Sequence, residues 1–226
     1  MPEASKLLYD LYIKAKLKVE DFNHLPEKDI RRKHIELFQS IITIAYINFE
    51  INVRFSETNR EEFLKFFNGD ITQAQNYSFN VTQNLNQNLI DTILFQTELI
   101  FRFYYSKIAN VTPGSEKSIF KIIATIFEDT ENNWQKEECK FLVLFWMLRN
   151  TIHTGGIYFV KVEGRKIEYK GQEYIFEYGK SPAFLKDNFS LSLISDILDV
   201  LKTLFESQKI IDLGYFEHPN YYALGK

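Results

Sequence analysis

The stretch Phe141–Gly156, FLVLFWMLRNTIHTGG, decides how the chain is read. Eight apolar residues in succession, Phe141 to Leu148, make a greasy helix, and the face of Arg149 continues backwards through Phe145 and Leu142 as an apolar stripe. Trp134 to His153 contains no Gly or Pro, which predicts a helix over that whole range. Gly155 suits a left-handed residue at its C-terminal end. Arg149 and His153 are four apart, so on a helix they share a face and can act on one ligand. Asn150 points about 100° away from Arg149. The greasy helix therefore ends in a polar, partly basic tip.

Working outward from this stretch, other helices follow. Residues 3–18 carry Leu7, Leu8, Leu11, Tyr12, Ala15 and Leu17 at helical spacing. Pro26 suits the first turn of a second helix that runs for about 30 residues without Gly or Pro. Its middle is apolar nearly all round, which predicts burial on several sides. A short helix is expected at 60–68, ended by Gly69. The Asn/Gln-rich residues 70–80 read partly as loop, and a long helix is expected at about 81–108. Pro113-Gly114-Ser115 is a break, followed by a Ser-capped helix at 115–128. Residues 157–178 alternate and are rich in Tyr, Ile and Val. Gly164 and Gly171 mark turns between two or three short antiparallel strands. That alternation puts Tyr174, Phe176 and Tyr178 on one side, packed on the helices or, as the sharper alternative, offered to stack bases. Asp187 or Asn188 caps a last long helix, and the tail from about 209 has no clear period. The expectation is an all-α single domain over 1–226. It has a helical core at about 26–208, a β insertion at about 157–178 and a tail at about 209–226.

Composition narrows the function classes. Of 226 residues, 45% are hydrophobic and 25% charged, and the net charge is −3. A chain of this balance does not bind nucleic acid through bulk charge, so any such contact is local. The single cysteine, Cys139, allows neither a disulfide framework nor a cysteine-based zinc site, and its place beside the apolar run reads as a buried thiol. No H-x-x-x-H, E-x-x-H or ligand-spaced carboxylate cluster occurs, no Gly-rich phosphate loop and no nucleophile elbow. No cofactor and no metal are implied. The N-terminus lacks the pattern of a signal peptide, and the longest strictly apolar run is far short of the roughly 20 residues of a membrane span. A cytoplasmic protein without membrane contact is expected.

The pair Arg149 and His153 admits two readings. Histidine exchanges protons near neutral pH, and arginine offers a fixed fork of donors to phosphate oxygens. Together they suit phosphodiester cleavage in RNA, which supplies its own 2′-hydroxyl nucleophile. The structural alternative is that a cation in the last helical turn complements the negative end of the macrodipole, with glycine as a plain cap.

LRNTIHTGG (148–156) at the end of an apolar helix resembles the signature of the HEPN superfamily: an arginine, a polar residue that is often asparagine, and a histidine a few residues on. The earlier segment LFQTELIFRFYY (94–105) also fits, with Glu98 like the polar residue many members set near the motif. The gap of three residues between Arg149 and His153 is shorter than is usual there. The resemblance implies a homodimer that pairs two motifs and a metal-independent ribonuclease in a toxin–antitoxin, defence or RNA-processing setting. His153 would be the acid/base and Arg149 the phosphate ligand, with Asn150 and Glu98 in support. RNA, an antitoxin or another protein would be the partner. Some members are non-catalytic binding modules, which the short gap and acidic charge favour here. A helical interaction domain outside this superfamily is a third reading. By itself, the spacing of Glu98 and Arg102 describes a surface ion pair.

Overall fold

Residue spacing alone carries the order of elements, and a computed structural model describes residues 3–112, 114–116, 118–129, 134–159, 165–184 and 189–216. The helices are α1 (Glu3–Asp21), α2 (Ile30–Glu57), α3 (Arg60–Lys65), α4 (Ile71–Ile108), α5 (Ile119–Phe127), α6 (Glu137–His153), α7 (Phe189–Glu206) and α8 (Gln208–Asp212). Two strands, β1 (Arg165–Tyr169) and β2 (Gln172–Phe176), lie between α6 and α7. The fold is mainly helical with one small β-hairpin, in the expected order. The chain divides into two compact units, residues 1–93 with 216–226, and residues 94–215.

In the first unit α1 and α2 form an antiparallel pair. Ser5 hydrogen-bonds Glu50, and the Tyr12 ring stacks on Tyr46 at 5.6 Å, so early residues of α1 meet late ones of α2. Leu8, Leu11, Ala15, Phe38, Ile42 and Phe49 are buried. Pro26 does not open α2. It sits in the preceding turn, where its carbonyl accepts from the Asp29 N–H at 2.9 Å. Asp29 is the N-cap, its carboxylate accepting from the Arg31 N–H at 2.9 Å and pairing with the Arg31 guanidinium at 2.7 Å. The expected burial of α2 on several sides is incomplete. Ile44 is 61% and Ile51 60% exposed, because α1 covers one face only. The helix α4 begins about ten residues before the expected start. The Asp70 carboxylate accepts from the Gln73 N–H at 3.0 Å, and Ala74 is buried, so a cap and an apolar anchor outweigh the poor propensity of Thr72, Asn76, Ser78 and Asn80.

In the second unit α6 is the central element. Phe141, Leu142, Leu144, Phe145 and Leu148 are fully buried. Phe145 stacks on Phe141 at 5.5 Å, and Trp146 meets Phe101 of α4 edge-on at 6.4 Å. Phe205 of α7 packs on Tyr104 at 5.8 Å. The cap of α5 is Ser118 rather than Ser115, its hydroxyl accepting from the Lys121 N–H at 3.3 Å. Lys209 of α8 ties that short helix to the other end of α5, donating to the Thr125 carbonyl at 3.1 Å and pairing with Glu128 at 2.9 Å. The proposed cap residues Asp187 and Asn188 lie outside the described residues.

The hairpin pairs Tyr169 with Gln172 across Lys170-Gly171. Both turn residues have positive φ, 50° and 71°, the two-residue turn that matches strand twist. Ile167, Tyr169, Tyr174 and Phe176 form its buried face. Tyr169 meets Phe141 at 5.4 Å and donates from Oη to Asp196 at 2.9 Å, so the hairpin packs on α6 and α7. Burial, then the Asp196 bond, pushes the Tyr169 phenol well up. Tyr178 departs from the expected face: β2 ends at Phe176, Gly179 turns the chain with φ +72°, and Tyr178 is exposed. Gly164 and the turn it was expected to mark lie outside the described residues. Tyr158 makes two backbone bonds to the chain after β2, to Lys180 and Gly179, and no third strand forms among the described residues.

Candidate functional site at the end of α6

The tip of α6 is closed by backbone bonds. Gly156 N–H donates to the Thr151 carbonyl at 2.9 Å and Gly155 N–H to the Ile152 carbonyl at 3.0 Å, the reciprocal pair of a Schellman cap. Gly155 has φ +71°, as its position in the cap requires. A Cβ there would meet no atom within 4 Å, so the cost of Gly155→Ala is conformational, about 1 kcal/mol. A urea titration followed by far-UV circular dichroism should show that loss; an unchanged midpoint would mean the cap does not hold the helix end. Thr154 adds a side-chain lock, its hydroxyl within reach of the Asn150, Thr151 and Ile157 carbonyls. It has one hydrogen and so serves one of them at a time.

The sequence candidates fall as follows. Arg149 and Asn150 are half-buried, in the last turns of α6, after the run of fully buried residues. The Arg149 Nη1 donates to Asn150 Oδ1 at 3.4 Å, a long contact. Thr151 is fully buried and its hydroxyl returns to the Met147 carbonyl at 2.9 Å. The backbone of His153 is the last residue of α6, one turn beyond Arg149; its side chain lies outside the described part of the structure. Glu98 is on α4 and holds Arg102 at 2.7 Å, one turn along the same helix. Arg102 also donates to the Glu116 carbonyl at 2.6 Å. Glu98 Oε1 is thus engaged within its own helix, and among the described residues Glu98 makes no bond to Arg149 or Asn150.

The described arginines fall into two groups, and Arg149 shares with Arg60 and Arg165 the lack of a carboxylate partner among the described residues. Arg31, Arg32, Arg54 and Arg102 each have a carboxylate within ion-pair distance. Among the described residues Arg149 has none. A half-buried guanidinium with one long neutral contact keeps most of its donors for an anion from outside.

Sequence reasoning did not single out Tyr158, five residues past His153. It is 1% exposed, and among the described residues its Oη has no hydrogen-bond partner. Burial pushes its phenol up, against a smaller opposing influence of Arg165. Only its place in an alternating, Tyr-rich segment was legible. Among the described residues no cluster of His, Cys, Asp and Glu could hold a metal ion, and no helix is long and apolar enough to cross a membrane. No family model, curated protein or solved structure matches the chain.

Proposed function

We propose that the end of α6 is a metal-independent RNA-cleaving site of the HEPN type, used by a homodimer in a toxin–antitoxin, defence or RNA-processing setting. The observation that carries this is Arg149: half-buried, without a carboxylate partner among the described residues, and one helical turn before His153. Cleavage needs a base to take the 2′-hydroxyl proton and an acid to protonate the departing 5′-oxygen. The 2′-oxygen forms a bond to phosphorus as the 5′-oxygen leaves, giving a 2′,3′-cyclic phosphate and a 5′-hydroxyl. One motif supplies one histidine; two motifs paired across a dimer supply both roles. Arg149 would hold the phosphate oxygens as their charge grows. Asn150 would sit beside it as a positioning group.

The second reading, a non-catalytic HEPN-like module for a protein or nucleic-acid partner, is favoured by Glu98. One of its carboxylate oxygens is engaged by Arg102 of its own helix, and it makes no bond to Arg149 or Asn150 among the described residues. Incubation of purified protein with mixed RNAs in EDTA separates the two. New cyclic-phosphate ends support the nuclease. Intact RNA with retained binding moves the assignment to the module.

A further inference from the structure

A second site stands in the first unit, between α2, α3 and the start of α4. It is an open cup of about 560 Å³. That volume lies within the roughly 300 to 1,000 Å³ of small-molecule sites. Five aromatic rings build its wall. Phe55 meets Phe63 edge-on at 5.6 Å and Phe66 at 6.1 Å. Phe67 meets Phe63 at 5.3 Å and Tyr77 at 5.4 Å. Phe63 is buried at the base of this cluster, whereas Phe66 is 74% and Tyr77 51% exposed. Leaving two such rings in water costs hydrophobic free energy that a flat ligand would recover.

The remaining wall decides the ligand's chemistry. None of the ten lining side chains carries a charge. A charged ligand would lose its hydration there without an ion-pair partner. The neighbouring recess of about 480 Å³, beyond Phe63, carries Glu57 and Arg60 and so favours neither sign. In the aromatic cup the polar groups are carboxamides, Asn48 and Asn52, one turn apart on the same face of α2. Asn52 is half-buried and held by Thr82 at 3.4 Å, which leaves its amide oxygen as an acceptor. The Asn48 side chain makes no hydrogen bond among the described residues, so its carboxamide supplies a donor and an acceptor.

From this complementarity we infer that the cup binds an uncharged planar heteroaromatic molecule with a lactam-type edge. The ring plane packs on Phe55, Phe66 and Tyr77. The ligand N–H donates to Asn52 Oδ1 and its carbonyl accepts from Asn48 Nδ2.

Two neutral probes test the assignment: N-phenyl-1-naphthylamine, whose fluorescence rises in an apolar site, and 2-quinolone as the displacing lactam. The wild type should bind the first saturably and release it to the second. Phe66→Ala removes an exposed ring, so folding is spared, and should weaken both by about tenfold. Val81→Trp fills the cup and should abolish binding, with circular dichroism confirming the fold. Asn52→Leu should leave the naphthylamine affinity unchanged and weaken the lactam by about tenfold. The assignment falls if the wild type binds neither probe, or if Phe66→Ala binds both as tightly as wild type. Equal lactam affinity in Asn52→Leu overturns the edge recognition. A dimer that Phe66→Ala dissociates would seat a second copy in the cup instead.

Discussion

His153→Ala is expected to lower RNA cleavage by about 10²- to 10⁴-fold, the loss that accompanies removal of a general acid or base. The same variant is expected to fold. The cap of α6 is made by the Gly155 and Gly156 N–H groups and needs no imidazole. Even a full cation at a helix C-terminus contributes only about 0.3 to 1 kcal/mol, so losing the imidazole there is too little to unfold a domain. Arg149→Lys supplies the sharper contrast. Lysine keeps the charge and the helix but not the two-pronged donor set, so a phosphate ligand that depends on the fork should lose about 10²- to 10³-fold. Initial rates on a cleaved RNA, with thermal midpoints measured alongside, check both. A His153→Ala protein that no longer folds would give the residue to helix capping. One that folds and still cleaves at the wild-type rate would remove it from the chemistry.

The largest effect on stability is expected at Phe145→Ala. Phe145 is fully buried, stacked on Phe141 at 5.5 Å and edge-on to Trp146 at 6.4 Å. Truncation removes the ring's transfer free energy and leaves a cavity that its two rigid aromatic neighbours, Phe141 and Trp146, cannot fill. The loss is about 3 to 5 kcal/mol, a large part of a typical total of about 5 to 15 kcal/mol. Urea unfolding followed by tryptophan emission reads it directly, since Trp146 touches the cavity. A loss below about 1 kcal/mol would mean that the surroundings collapse onto the gap.

The sequence carries the helices whose apolar residues recur at helical spacing. It carries the buried character of Phe141–Leu148 completely, because no polar residue interrupts the run. It misplaces the start of α4, since Thr72, Asn76, Ser78 and Asn80 are weak helix formers and the Asp70 cap acts at a distance of three residues. It overestimates the burial of α2, because periodicity reports which residues are apolar, not how many neighbours cover them. Of the candidate site, the chain order places Arg149 and Asn150 on the tip of α6. What surrounds them depends on tertiary contacts. The Glu98–Arg102 pair was legible from spacing, whereas the absence of a carboxylate near Arg149 among the described residues was not. The aromatic cup of the first unit was equally hidden, since its rings come from three helices.

Cys139 is the chain's one cysteine, fully buried beside that central run. Burial first, and a hydrogen bond with Asp129 second, push its thiol far above the ordinary range. In the native packing it neither ionises near neutral pH nor meets reagent. An aromatic disulfide can therefore label it only during excursions in which α6 parts from its neighbours. Divided by the rate for a free thiol, the labelling rate gives the equilibrium constant of those excursions. The protein thus contains a built-in chronometer of its own breathing, placed in the element that carries Arg149 and His153.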